Sequence, residues 1–559
     1  MDRRTFLKAS ASGTLGALTA SASNPARPNI LLILADDVGY SDIGCYGGEI
    51  HTPNLDRLAA GGVRFTQFYN AARCCPSRAS ILTGLYAHQT GMGNMTAAKA
   101  ANDLEGYTGH LSPGCATIPE VLKLAGYSAY MAGKWHLGQP GPVARGFEEY
   151  YGLFHGYDSA WDPTKYTRLP ADRKQRDYPP GKFYATDAIT DYTLDFLAAA
   201  RQRKQPFFTY LAYTAAHFPL HAPKEIIDKY TAVYEQGWDR IREQRFARMR
   251  TMGLVSENWE FTPRSVIPPN FVATPHGWAN RQNPAWDSIE PARRADLVRR
   301  MAIYAAMIEI MDRNIGRVIE DLRSNGELEN TLVMFLSDNG ACAEWDPWGF
   351  DESSGPRNKL HTGPELQSMG QPGTYHSYGS GWANASNTPW QLYKHYNHEG
   401  GISTPFIAHW PAGIAKAGAF EREPGHIIDL MPTCLAVAGA KYPAAVPLLE
   451  GRSLLPAFAG KPIQQDALYW EHEGNRAIRV GKWKAVALLP GGEWELYDME
   501  KDRTEMHNLA SHHPERVRAM AGQWEKWARR THALPWPWKP DYIAPQTPAG
   551  RTAKANKAL

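Results

Sequence analysis

Cys74-Cys75-Pro76-Ser77-Arg78 sets a thiol, a proline and a guanidinium within one short run, directly ahead of Ala79-Ser80-Ile81-Leu82-Thr83-Gly84. The second half of the run reads as a helix, so the cysteine and the arginine point toward its N-terminus. That end offers unpaired N–H groups and a partial positive charge, which suit a tetrahedral oxyanion. A reactive side chain at position 74 would face such an anion. A Cys-Cys pair also fits a disulfide element or buried packing, and the run alone does not separate these readings.

Two acidic pairs lie elsewhere. Asp36-Asp37 follows the apolar run 29–34, and Ser337-Asp338-Asn339-Gly340 follows the apolar run 331–336. Three carboxylates and an amide oxygen form a hard, all-oxygen set, which favours calcium or magnesium over zinc. One such pair could simply cap a turn or helix. Two pairs at the ends of two predicted strands favour metal binding, because converging carboxylates repel without a cation. Cations and imidazoles complete the set. Lys134 and His136 stand two apart in Gly133-Lys134-Trp135-His136-Leu137-Gly138, so on an extended segment they point the same way. His217 lies in Ala216-His217-Phe218-Pro219, and Lys394 precedes Glu399-Gly400-Gly401. Singly these are ordinary residues. Together they supply donors around an anion and acids for a leaving oxygen.

The elements that position them are short apolar runs ending in polar residues: 29–34, 127–131, 207–212, 331–336 and 404–408. Near-continuous apolar runs suit buried strands of a mostly parallel sheet. Helical spacing over 117–125, 188–201 and 291–324 alternates with them, which predicts an α/β fold with helices on both faces of a large sheet. Ligands in such sheets bind at the carboxyl ends of strands, where the polar residues fall. After Gly451-Arg452-Ser453 the pattern changes. Short alternating strands over 466–498 and a helix from about His513 to Arg530 predict a small α+β domain with an antiparallel sheet.

These motifs resemble those of the type I sulfatases of the alkaline phosphatase superfamily, over most of residues 28–440. The matching points are Ala35-Asp36-Asp37, the Cys74 signature, Gly133-Lys134-Trp135-His136, Ser337-Asp338-Asn339-Gly340, Glu399-Gly400-Gly401-Ile402 and Asp429-Leu430-Met431-Pro432-Thr433. One departure is Ala129, where the second signature usually has Ser or Thr. The resemblance implies an alkaline-phosphatase-like mixed sheet and hydrolysis of sulfate esters. It implies that Cys74 is converted to formylglycine (3-oxoalanine) by a maturation enzyme, that its hydrate attacks sulfur, and that Cys75 is a variable position. It implies a calcium ion, with magnesium as the alternative, held by Asp36, Asp37, Asp338, Asn339 and the modified residue 74. Arg78 and His136 would hold the hydrate, Lys134 and Lys394 would neutralise sulfate oxygens, and His217, with Lys394, would protonate the leaving group. A phosphomonoester or phosphonate ester hydrolase of the same superfamily is one rival. A catalytically silent binder of sulfated glycans is the other.

The resemblance implies a sulfated small molecule or glycan as substrate. Aromatic residues in two long segments, including Tyr157 and Trp161 in 151–185 and Trp345, Trp348, Tyr375, Tyr378, Trp382 and Trp390 in 341–393, could stack on it or pack the loops. A net charge of +3 over 559 residues argues against a nucleic-acid partner. Six scattered cysteines make no disulfide framework. Arg3-Arg4-Thr5-Phe6-Leu7-Lys8, an apolar stretch to about Leu18 and Ala20-Ser21-Ala22 match a twin-arginine signal. They predict a bacterial periplasmic or secreted protein that uses the twin-arginine translocase and has no stable membrane anchor. The expected organisation is a signal peptide over 1–22, a catalytic domain over 28–455, a small domain over 460–532, and an extended or disordered tail over 533–559.

Overall fold

Ten strands form one sheet: β1 (Asn29–Ala35), β2 (Val63–Tyr69), β3 (Ser128–Gly133), β4 (Glu149–Gly152), β5 (Thr167–Leu169), β6 (Phe207–Ala212), β7 (Thr331–Ser337), β8 (Ser403–His409), β9 (Ala419–Glu421) and β10 (Gly425–His426). The computed structural model describes residues 27–96, 103–267, 278, 280–344, 347–352 and 357–537. The expected signal peptide, Trp345 and the tail beyond residue 537 lie outside the described residues.

The strand order is β10-β2-β8-β7-β1-β6-β3-β4-β5, with β9 beside β2. From β7 to β4 every pairing is parallel. β8 runs antiparallel to both β7 and β2. The sheet is therefore mixed and mostly parallel, as the apolar runs predict. Alternate residues of β1 serve opposite faces, the geometry of a pleated strand. Leu31 and Ile33 join one core with the helices Ala185–Arg203 and Pro291–Ser324. Ile30, Leu32 and Leu34 join another with the helices Cys74–Thr83, Ile118–Leu124 and Leu430–Ala438. Five of these strands match the apolar runs. β2, β4, β5, β9 and β10 were not read from the sequence, because they are short or alternate with polar residues.

A second, antiparallel sheet has the order β11 (Leu468–His472), β12 (Asn475–Val480), β13 (Trp483–Ala487), β14 (Glu495–Asp498). The helix Pro514–Arg530 covers it, burying Met520, Trp524 and Trp527 on one stripe. Leu534 and Trp536 pack on the same cluster.

A buried ionic network fastens this sheet to the large one. Glu399 accepts from Lys484 Nζ at 2.9 Å, Arg503 Nε at 2.8 Å, Ser403 Oγ at 2.8 Å and Tyr69 Oη at 3.1 Å. Glu505 bonds Lys484 at 2.7 Å and the Glu399 amide at 2.9 Å. The two glycines after Glu399 are required sterically: a Cβ on Gly401 would lie 1.9 Å from the Tyr396 carbonyl. Burial works to raise the Glu399 carboxyl, but Lys484 and Arg503 outweigh it and hold it near 2. A carboxyl depressed in the folded state stabilises above its unfolded pKa, and that stability is lost as pH falls toward the folded value. Glu399→Gln is therefore predicted to lower urea-unfolding stability at pH 7 by about 3 kcal/mol. It is also predicted to flatten the stability loss that the wild type shows as pH falls from about 4.5 toward 2.

Candidate active site

Strand register brings the site together. Ala35 pairs with Ser337, Leu34 with Ala212, and Gly133 with Ala212. The carboxyl ends of β1, β7, β6 and β3 are thus level, and the residues just beyond them are Asp36-Asp37, Asp338-Asn339, the His217 turn and Lys134. β2 points the same way, and its end leads through Asn70–Arg73 into the Cys74–Thr83 helix. Arg73 is the extended N-cap and Cys74 the first helical residue. Pro76 falls in the first turn, where a missing N–H costs nothing. Every residue of this helix is buried. Lys394 arrives from the opposite direction, on the segment ahead of the antiparallel β8.

All the acids and cations selected from the sequence meet here. Lys134 Nζ donates to Asp36 Oδ2 at 2.6 Å. Arg78 Nε donates to Asp338 Oδ2 at 3.0 Å, its Nη1 to the Lys134 carbonyl at 2.8 Å, and its Nη2 lies 3.5 Å from Asp36 Oδ1. Lys394 Nζ donates to both Asp37 oxygens at 2.7 and 2.9 Å. Asn339 Nδ2 donates to Asp37 Oδ1 at 2.6 Å, and His217 Nε2 lies 3.5 Å from Asp37 Oδ2. Two buried oxygens, Asp36 Oδ1 and Asn339 Oδ1, accept no hydrogen bond. The Cys74 thiol, the Cys75 thiol and one His136 ring nitrogen lie within 4.8 Å of one another.

Lys134 and His136 both reach the site, but not by simple extension. A Cβ on Gly133 would lie 1.7 Å from the Ala212 carbonyl, and His136 has φ +53°. Asp37 is also left-handed, at φ +63°. Such conformations cost of order 1–2 kcal/mol each and persist because surrounding bonds hold them.

Electrostatics follow from burial. Burial pushes Asp36 well above the ordinary carboxyl range despite Lys134, and raises Asp338 despite Arg78. Burial also acts on Asp37, but Lys394 and His217 hold it well below that range. Desolvation lowers His136 to about 4 and His217 well below its ordinary value. A hydrogen bond from Cys75 holds the Cys74 thiol well below its usual range, against burial and with Lys134 and His136 assisting. His217 Nδ1 donates to the Phe218 carbonyl at 2.6 Å, which leaves Nε2 facing the acids.

All six cysteines are free and buried, so the disulfide reading of Cys74-Cys75 falls away. Tyr378, Trp382 and Trp390 are core residues, whereas Tyr157 is 43% exposed and stacks on His217 with ring centroids 5.6 Å apart. Arg73 and His395 were not selected from the sequence. Each is the chain neighbour of a residue that was, and that adjacency was the available signal.

The Sulfatase family model matches residues 28–440. The chain belongs to the sulfatase family. A second model, described as N-sulphoglucosamine sulphohydrolase, C-terminal, matches residues 390–526. An uncharacterized sulfatase of Schizosaccharomyces pombe is 35% identical, with 95% of this chain and 98% of that one covered. An arylsulfatase of Klebsiella aerogenes is 36% identical over 75% of this chain and 88% of its own length. Among solved structures, Ps i-CgsB in complex with k-i-k-neocarrahexaose is 26% identical, with a TM-score of 0.62 over 95% of this chain and 98% of that one. This sulfatase is a sulfuric ester hydrolase with an alkaline-phosphatase-like fold. Among the described residues no helix is long and apolar enough to cross a membrane.

Arg78 is the residue most sensitive to shape, because its fork serves Asp338, Asp36 and the Lys134 carbonyl at once. Arg78→Lys keeps the charge and loses the fork. It is predicted to destabilise the protein by about 3 kcal/mol in chemical denaturation, as breaking a buried pair does, and to abolish sulfate release.

Proposed function

We propose that this sulfatase hydrolyses sulfate esters of carbohydrates or aryl alcohols through a formylglycine made from Cys74 and a calcium ion held by Asp36, Asp37, Asp338, Asn339 and the modified residue 74. The observation that carries the reading is the meeting of a helix N-terminus bearing Cys74 with three buried carboxylates and three buried cations. A divalent cation fits this donor set. The oxygens Asp36 Oδ1 and Asn339 Oδ1 are buried and accept no hydrogen bond, and burial raises Asp36 and Asp338 despite their cationic neighbours. The set is all oxygen once residue 74 is modified, and that favours calcium or magnesium over zinc.

Bound there, the cation would supply Lewis-acid charge stabilisation, and the formylglycine hydrate would supply the attacking hydroxyl. The remaining work belongs to the chain itself. Lys134 and Lys394 neutralise the sulfate oxygens, with the N–H groups at the start of the Cys74–Thr83 helix. Arg78 and His136 hold residue 74, and neutral His136 can accept its proton. Lys394, kept charged beside Asp37, is the source of the proton for the leaving oxygen, and His217, neutral at rest with a bare Nε2, passes it on after taking it up at that nitrogen. Both already contact Asp37, which orients them. Residues 28–455 form the catalytic unit in this reading and 460–532 a smaller one. A formylglycine-generating enzyme acts on Cys74, and the twin-arginine translocase delivers the protein to the periplasm or beyond.

The mass of the Cys74 peptide from active protein tests the reading. It should be lower than that of the cysteine form. An unmodified mass in active protein would overturn the mechanism. Cys74→Ala should lower kcat on 4-nitrophenyl sulfate at least about a thousandfold. Faster turnover of 4-nitrophenyl phosphate than of the sulfate would favour the phosphatase rival.

A further inference from the structure

The chain that follows β4 lies across both imidazoles of the site. β4 pairs with β3 in parallel, Ala132 beside Tyr151, so it too ends level with the strands that carry the site. Beyond it the Trp135 amide donates to the Leu153 carbonyl at 3.0 Å and the His136 amide to the Phe154 carbonyl at 3.2 Å. Gly156 then packs its backbone on the His136 ring: a Cβ there would lie 2.8 Å from His136 Cε1 and 2.9 Å from Nε2. Tyr157 is the next residue, and that anchorage brings its ring over His217. The two rings are 14° from parallel, with centroids 5.6 Å apart. Two further aromatic residues frame Tyr157. Phe218 is tilted against it at 4.9 Å, and Tyr375 stands edge-on at 6.4 Å and hydrogen-bonds its phenol. The Leu220 amide donates to the His376 carbonyl at 3.0 Å, which holds the Tyr375 segment beside the His217 turn.

His217 needs such a support. A single hydrogen bond, from Nδ1 to the Phe218 carbonyl, fixes its tautomer. The torsion that sets a histidine ring plane is broad, so one bond leaves that plane loosely defined. The contact of Nε2 with Asp37 is 3.5 Å long, beyond a well-formed hydrogen bond, and adds little. An offset, near-parallel aromatic neighbour constrains what remains, because stacked rings prefer this arrangement. His217 is buried whereas Tyr157 is exposed, so the phenol ring forms a layer between this imidazole and solvent.

We infer that Tyr157 is a positioning residue for proton delivery: its ring fixes the plane of His217, so that Nε2 faces the leaving oxygen. The inference rests on the proton route proposed above and goes one residue beyond it. On that route a proton leaves Lys394 Nζ, joins His217 Nε2 and passes to the oxygen whose bond to sulfur breaks, where the electron pair of that bond receives it. Tyr157 gives up no proton and forms no bond in these steps. Its contribution is geometric, and geometry is costly to lose: a reacting group displaced by about 1 Å can cost on the order of a hundredfold in rate. The cost falls unevenly. A weakly acidic leaving group needs its proton in the transition state, whereas 4-nitrophenolate departs without one. A residue that merely packs the loop would affect both alike.

The test is kcat of the matured enzyme across a series of para-substituted phenyl sulfates, from 4-nitrophenyl to 4-methoxyphenyl, which share a shape and differ in the acidity of the phenol. Tyr157→Ala should lower kcat on 4-methoxyphenyl sulfate at least about tenfold and on 4-nitrophenyl sulfate no more than about twofold. Tyr157→Phe keeps the ring and should restore the wild-type profile to within about twofold. His217→Ala should show the same dependence on the leaving group, more steeply. Equal losses across the series in Tyr157→Ala, no loss, or a change in KM alone would overturn the inference and leave the proton route standing. A graded loss that Tyr157→Phe fails to restore would also overturn it, by assigning the effect to the phenol hydroxyl. No dependence on the leaving group in His217→Ala would sink the proton route, and the inference with it.

Discussion

Three carboxylates buried at one point cannot persist without matching positive charge, and the rest of the site is arranged around that constraint. Asp36, Asp37 and Asp338 face Lys134, Lys394 and Arg78 with little or no solvent. An unpaired buried charge costs several kcal/mol, so each of these partners is structural as well as chemical. Equal numbers do not complete the balance. Burial still raises Asp36 and Asp338, whereas Asp37, with Lys394 on both its oxygens, is held low. The pocket therefore has room for further positive charge. With a divalent cation added it becomes positive overall, which suits a bound sulfate group.

Level strand ends provide the rigidity this needs. Four parallel strands finish at paired residues, so four turns contribute to one spot with no long reach. The left-handed residues Asp37 and His136 aim their side chains inward at local cost, and the ion pairs hold them there. The second sheet contributes twice. Through Lys484, on Glu399, it anchors the segment that carries Lys394, and Glu473, in the turn after β11, reaches Arg73 beside Cys74.

Much of this was legible in the sequence, for identifiable reasons. β1, β6 and β7 are buried on both faces, so their apolar runs end where their polar residues begin, and Asp36, Asp338 and His217 could be placed at strand ends. The long helix Pro291–Ser324 has the bounds its spacing predicts. β2 stayed hidden because Arg64 and Gln67 break its apolar run, and with it the strand that leads to Cys74. Lys394 escapes the strand-end rule because β8 is antiparallel and brings its preceding segment, not its end, to the site. Pairing direction is a tertiary property that a single apolar run does not encode. The contacts among Arg73, His395 and Glu473 join residues more than 70 positions apart along the chain, and no local pattern announces them.

The most direct measurement is calorimetric titration of calcium into metal-stripped, matured protein. The account predicts saturable binding of a single ion per chain, greatly weakened by Asp37→Asn in protein that remains folded by circular dichroism. Absence of binding, or binding indifferent to that substitution, would contradict it.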